Sequence, residues 1–351
     1  MNIERRAQPH PFEAISFSSG GVHAFAQLGV LASLIEAGVT EHVADWYGCS
    51  GGCIAAVCGI LGGSPAWLRE GTRIFDLRKA TAIQDDLVLN LDGALGFVDP
   101  AKLLEILGRM AGTWAPGFPA WNFRDLKTAY PTASLHIIAT NWTTGDIATF
   151  DADKTPDVRV LDAIRASIAV PPYFTPWQNP ATGEIFTDGA VLESFPWSSI
   201  PSWKKRETLV VSCSEINQRD KSAHPATFME FLGRIVHLAH KRTPASFTPA
   251  SDHLIIINAK TVESMDFKVT QEQRLALFEE GGVAASKFLT ETVSEIAGSH
   301  LLSSDPCTPA VPTMNPGRTE DSPGYHSPLR IPGQSRDSQT VRRLNDRRWS
   351  L

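Results

Sequence analysis

The chain has 351 residues, 42% of them hydrophobic and 20% charged, and a formal net charge of −6 at pH 7. These values suit a soluble globular protein with a large buried core, and the mildly acidic balance argues against nucleic acid as a partner and against bulk attraction to anionic lipid. The five cysteines are odd in number and three of them, Cys49, Cys53 and Cys58, share one apolar stretch, which argues against a secreted disulfide framework and suits reduced thiols in the cytoplasm. Residues 1–13 read as a polar leader, with charges but no apolar run to make a signal peptide. Ala14–Phe17 reads as a short strand that ends in Ser18-Ser19-Gly20-Gly21. A helix follows, with Ala24, Leu28, Leu31, Leu34 and Ile35 at three- and four-residue spacing up to Ala37-Gly38.

Residues 43–47 read as a second strand running into Gly48-Cys49-Ser50-Gly51-Gly52, and residues 53–61 as a second helix stopped by Gly62-Gly63. Strand, glycine turn and helix, twice over, is the rhythm of an α/β protein with parallel strands. Residues 64–130 look helical and carry an aromatic patch with Trp114, Phe118 and Trp121, which fits either an apolar lip over a lipid site or ordinary core. Strands are predicted at 135–140, 147–150, 184–187, 208–213 and 253–258, and helices at 158–168, 226–240 and 271–298. No stretch approaches the roughly 20 apolar residues of a membrane-spanning helix. From residue 303 the chain is rich in Ser, Pro, Gly and Arg, with seven arginines against five acidic residues. That tail lacks the apolar periodicity to offset its ordering entropy, so it is expected to be disordered; its arginine pairs suit an unknown acidic partner or plain solvation.

Gly48-Cys49-Ser50-Gly51-Gly52 is a G-x-S-x-G sequence between a predicted strand and a predicted helix. A serine there sits on a sharp turn with its hydroxyl presented as a nucleophile, and the helix start offers unpaired N–H groups to a developing oxyanion. Ser19-Gly20-Gly21-Val22-His23 is a second glycine turn opening a helix, suited to a phosphate or an oxyanion. It lacks G-x-G-x-x-G and the P-loop lysine, which removes the dinucleotide and nucleotide readings. Asp188-Gly189-Ala190 follows a predicted strand, where an aspartate can reach into a cleft or simply cap a turn. His237 and His240 stand at i, i+3 without a clustered third ligand, and the three close cysteines match no zinc spacing, so buried or surface packing is favoured for both groups.

Together the three motifs resemble the patatin-like phospholipase family: a glycine-rich oxyanion loop, then G-x-S-x-G, then D-G-A/G. LHIIATNWTTGDIATF, AIRASIAVPPYFTPW and FTDGAVLESFPW are similar to further family segments, and the resemblance covers residues 14–200. It implies a three-layer α/β/α fold with a mainly parallel central sheet and a catalytic core at 14–201; the strands and helices predicted beyond it read as an α/β extension of the same domain at 202–302. It also implies a Ser50–Asp188 dyad without histidine, an oxyanion hole from Gly20, Gly21 and Gly51, and Gly48, Gly52, Gly189 and Ala190 as motif residues. The implied reaction is ester hydrolysis of phospholipid or another lipid through an acyl-enzyme, at a membrane surface touched peripherally. No metal or organic cofactor is implied. Three positions depart from the family's loop, Ser19 at its first glycine, His23 where it carries Arg or Lys and Ala24 at its last glycine, which leaves room for a catalytically weak or silent lipid-binding protein. A Ser-His-Asp α/β-hydrolase is the other rival; its nucleophile normally follows several strands, whereas Ser50 follows two.

Overall fold

The computed structural model describes residues 12–213 and 253–302, with side chains as far as residue 291. The helix expected at 226–240, the His237/His240 pair and the tail from 303 lie outside the described residues. One mixed sheet holds eight strands: β1 Ala14–Phe17, β2 Asp45–Cys49, β3 Ser134–Asn141, β4 Asp146–Phe150, β5 Trp177–Gln178, β6 Ile185–Asp188, β7 Thr208–Cys213 and β8 Leu254–Ile257. The central run β3-β2-β1-β7-β8 is parallel throughout. Every residue of β1 and β2 is buried, as expected of parallel strands covered on both faces.

The antiparallel strands explain the site. β4 pairs with residues 137–141 of β3 and so occupies one of its edges. β2 pairs with β3 as far as Cys49↔Ile138, and β6 takes over from Ala139↔Asp188 to Asn141↔Phe186. A strand has only two edges, so β2 and β6 share the one opposite β4, end to end and running toward each other. Their carboxyl ends therefore meet.

Side chains alternate across the sheet. Ile15, Phe17, Trp46, Ile137, Leu209 and Val211 point into the main core. That face is covered by α1 Ala24–Glu36, α2 Gly52–Ile60, α3 Pro65–Ile74, α4 Ala101–Trp114, α5 Phe123–Ala129, α6 Val160–Ser167 and α7 Gln271–Leu302. On the opposite face Ala14 and Tyr47 meet Trp197 and Ile200, and Cys49 and Ile138 meet Ala190 in the 3-10 turn Gly189–Val191. Helical elements thus flank both faces of the sheet. α1 is apolar nearly all round, which suits a helix enclosed by neighbours rather than one facing water. It packs on α7 so closely that a Cβ on Gly29 would lie 1.9 Å from the Phe278 carbonyl oxygen, and one on Gly281 1.8 Å from that of Ala26. Among the described residues no helix is long and apolar enough to cross a membrane.

Candidate active site

Ser50 begins where β2 ends. Its φ of 52° places a non-glycine residue in the left-handed region, at a cost of roughly 1–2 kcal/mol, and turns the chain sharply into α2. The turn is held from below: Ser50 N–H donates to Ser167 Oγ at 2.8 Å, and the Ser167 hydroxyl donates to the Ile138 carbonyl at 2.6 Å. Ser167 closes α6 and is fully buried. It lies inside the AIRAS segment, but nothing in its spacing shows that the hydroxyl reaches another strand's turn, so sequence reasoning gave it no role.

Asp188 ends β6, and Ser50 Oγ donates to its Oδ2 at 2.6 Å. The other carboxylate oxygen accepts from Ala190 N–H at 2.8 Å. The backbone around Asp188 is pinned on both sides, its N–H to the Ala169 carbonyl at 3.0 Å and its carbonyl to Thr140 Oγ1 at 2.9 Å. Burial pushes the Asp188 carboxyl up to about 7, against the hydrogen bonds from Ser50 and Ala190, which favour the charged form. A carboxyl poised there can accept a proton at neutral pH, which an ordinary aspartate near 4 does poorly.

The glycine loop stands beside this pair. Gly51 lies so close to Gly21 that a Cβ on it would sit 2.6 Å from the Gly21 carbonyl oxygen and 3.2 Å from both Gly21 N and Ala24 Cβ. Gly21 itself has φ +54°, a conformation side chains rarely adopt. Val22 N–H donates to Ser264 O and His23 N–H to Gly20 O, which leaves the Gly20 and Gly21 N–H groups nearer the turn without a backbone partner among the described residues. Gly51 and Gly52 open α2, where N–H groups have no intrahelical acceptor.

The His23 side chain is engaged away from the turn. It is buried, with Nε2 2.8 Å from the Val262 carbonyl oxygen, a contact that calls for a protonated Nε2. Ala24, another departure, fits because the facing residue, Gly51, has no side chain.

From Ser50 and Gly51 a pocket extends into the main core. Its walls are almost wholly apolar and include Leu28, Val57, Leu68, Met110, Phe118 and Phe174. The aromatic patch belongs to this interior rather than to an exposed lip. Phe118 is buried in the pocket wall, Trp114 Nε1 donates to the Leu61 carbonyl at 2.9 Å, and Trp121 packs edge-on against Phe118 and Tyr130. Of the two readings the sequence left open, lip or core, the contacts of these three side chains favour core. Cys49, Cys53 and Cys58 are buried free thiols whose pKa is pushed up by burial, so they stay protonated, as packing residues do.

Comparison with known proteins sets this geometry in context. Residues 15–200 match the family model described as patatin-like phospholipase. Uncharacterized NTE family proteins of Mycobacterium bovis and Mycobacterium tuberculosis are each 26% identical over 239 residues, 66% of this chain. The match spans 57% of the length of these curated relatives. Among solved structures, VipD from Legionella pneumophila superposes with a TM-score of 0.50 at 18% identity, covering 82% of this chain and 68% of that one. ExoU in its complex with SpcU from Pseudomonas aeruginosa gives 0.49 at 16% identity, covering 81% and 52%.

Proposed function

The chain belongs to the patatin-like phospholipase family, and from that premise we propose that it is a serine lipid acyl hydrolase working through a Ser50–Asp188 dyad. The observation that carries this reading is a buried serine hydroxyl bonded at 2.6 Å to a buried carboxylate, at the head of an apolar pocket. In the proposed reaction Ser50 Oγ attacks the ester carbonyl carbon while its proton passes to Asp188 Oδ2. The tetrahedral oxyanion is met by N–H groups of Gly20, Gly21 and Gly51, with the amino end of α2 behind them. Collapse breaks the bond to the alcohol, which takes the proton back from Asp188. Water then attacks the acyl-enzyme, losing its proton to Asp188, and collapse breaks the Ser50 Oγ–acyl bond, returns that proton to Oγ and frees the fatty acid.

The pocket supports a long-chain acyl group as the part of the substrate held before attack, because apolar walls reward removal of alkyl carbons from water at about 0.8 kcal/mol for each methylene. Phospholipid or another lipid ester is the substrate class, and peripheral contact with the surface that supplies it follows from the reading. The catalytic unit is assigned to residues 14–302, with 14–201 holding the dyad. A release assay on mixed long-chain lipid esters, wild type beside Ser50→Ala, tests the proposal. Fatty acid release by the wild type alone is expected. Equal release by both proteins would remove Ser50 from the chemistry, and none by either would favour the silent lipid-binding alternative.

A further inference from the structure

Half of the large apolar side chains that the described residues expose fall within thirteen positions: Ile83, Val88, Leu89, Leu91 and Leu95, against five elsewhere. This stretch holds two short helical turns, Asp85–Leu89 and Leu91–Ala94, and neither buries a single residue. Leu89 is 89% exposed, and Leu95 is held at φ 57°, a left-handed conformation unusual for a leucine. Helical turns this short have no stability of their own in water, and an apolar set this dense on the surface marks a contact.

The base of the excursion tells what it contacts. Gln84 N–H donates to Phe97 O and closes the loop at its root. Above that closure the chain is stitched to residues 173–175: Val98 N–H to Tyr173 O at 2.9 Å, Thr175 N–H to Val98 O at 2.9 Å, and Tyr173 OH to Thr81 O at 2.8 Å. Phe174 and Val170 are pocket wall, and Ala169 O accepts the N–H of Asp188. One backbone stretch, 169–175, thus carries the aspartate, the wall of the apolar pocket and the root of the exposed apolar loop.

Resting on the acyl hydrolase reading, we infer that residues 83–95 dock the protein on an uncharged lipid surface and bring the pocket to the lipid it draws from. The occupant is a lipid surface because the patch is rooted, through Gln84–Phe97 and Val98–Tyr173, on the backbone stretch that walls the apolar pocket beside Ser50. It is an uncharged surface because residues 83–95 themselves carry Asp85, Asp86 and Asp92 and no Lys or Arg, Asp99 at the root being paired with Arg165. Anionic head groups would be repelled, while the leucines enter the acyl boundary as the apolar side of an interfacial helix does.

The test uses full-length protein carrying Ser50→Ala, so that binding is read without turnover, and phosphatidylcholine vesicles with and without an anionic lipid. Co-sedimentation with the neutral vesicles is expected, weaker when anionic lipid is added. Leu89→Asp should weaken it by about tenfold or more, and Leu89→Phe should preserve it, since an exposed side chain is changed in both without touching the core. On the Ser50 background, Leu89→Asp should lower release from vesicles by a similar factor while leaving hydrolysis of a soluble short-chain ester within about twofold. Vesicle binding unchanged by Leu89→Asp overturns the inference, as does equal loss on both ester substrates. Loss of a concentration-dependent dimer, with vesicle binding intact, would reassign the patch to self-association. Vesicle binding without any ester hydrolysis by the Ser50 protein would instead sink the hydrolase reading and leave the docking surface standing.

Discussion

At the scale of single residues, the dyad reading is a statement about one proton. Asp188 must be ionised to take the Ser50 proton, and its carboxyl is pushed up to about 7. Activity on a soluble ester should therefore climb with pH through about 7 and level off above it, the rising limb of kcat/KM reporting the free enzyme. A flat profile between pH 5 and 8, about the ordinary working range, would detach Asp188 from proton transfer. The same burial carries a stability cost. Between the unfolded value of 3.8 and the folded value of about 7 the native state keeps a proton that the unfolded chain has lost, so stability present below that window is lost as pH rises through it. Asp188→Asn removes the buried charge, so it should cost turnover by two or more orders of magnitude and yet raise the melting temperature at pH 8, with the gain fading toward pH 4. Ser167 makes a complementary prediction. Its hydroxyl holds the Ser50 N–H without reaching the substrate, so Ser167→Ala should lower kcat roughly tenfold, in line with one lost buried hydrogen bond, and leave KM close to wild type. An unchanged kcat would show that the strained turn is held by the strands and α2 alone.

At the scale of elements, the order of strands and helices was legible because each carries its own period or glycine stop: β1, α1, β2 and α2 fall within two residues of their expected limits. What could not be read was pairing. β2 and β6 are far apart in sequence, and only the register of both against β3 sets Ser50 opposite Asp188. The same holds for His136, which sits between Asp45 and Asp151, stacked on Tyr47, with Lys204 reaching Asp45 from another segment. No local pattern joins four such distant positions. Composition left the aromatic bend open between lip and core and gave no orientation for His23, since hydrophobicity and charge do not reveal which way a turn faces. Helix contact was equally hidden: Gly29 and Gly281 look like weak points in helices but are the contact between α1 and α7. Gly29→Ala drives a methyl group into the Phe278 carbonyl, so a loss of roughly 1–3 kcal/mol or more is expected by thermal or urea unfolding. A neutral result would mean that α7 can slide along α1 without loss of packing.

At the scale of the whole molecule, the proposal requires that two residues suffice, wherever the other side chains of the chain lie. The two carboxylate oxygens of Asp188 accept from Ser50 and Ala190, and three of the four histidines with described side chains have other engagements: His23 at Val262, His136 between two aspartates, His253 edge-on to Phe12; the fourth, His42, is exposed. His224, His237 and His240 lie outside the described residues, and His300 has no described side chain. A base from one of these would turn the dyad into a triad in which Asp188 only orients a histidine. Asp188→Asn cannot separate the two schemes, since removing the orienting carboxylate of a triad is also severe. Replacement of His224, His237, His240, His253 and His300 singly with Gln does separate them. With Asp188 as the base, each variant should stay within about tenfold of wild type on a soluble ester, and the limb near pH 7 should keep its position because it belongs to the carboxyl. A loss of several orders of magnitude at one histidine, in a protein whose melting temperature is unchanged, would make that residue the base and reduce Asp188 to its support.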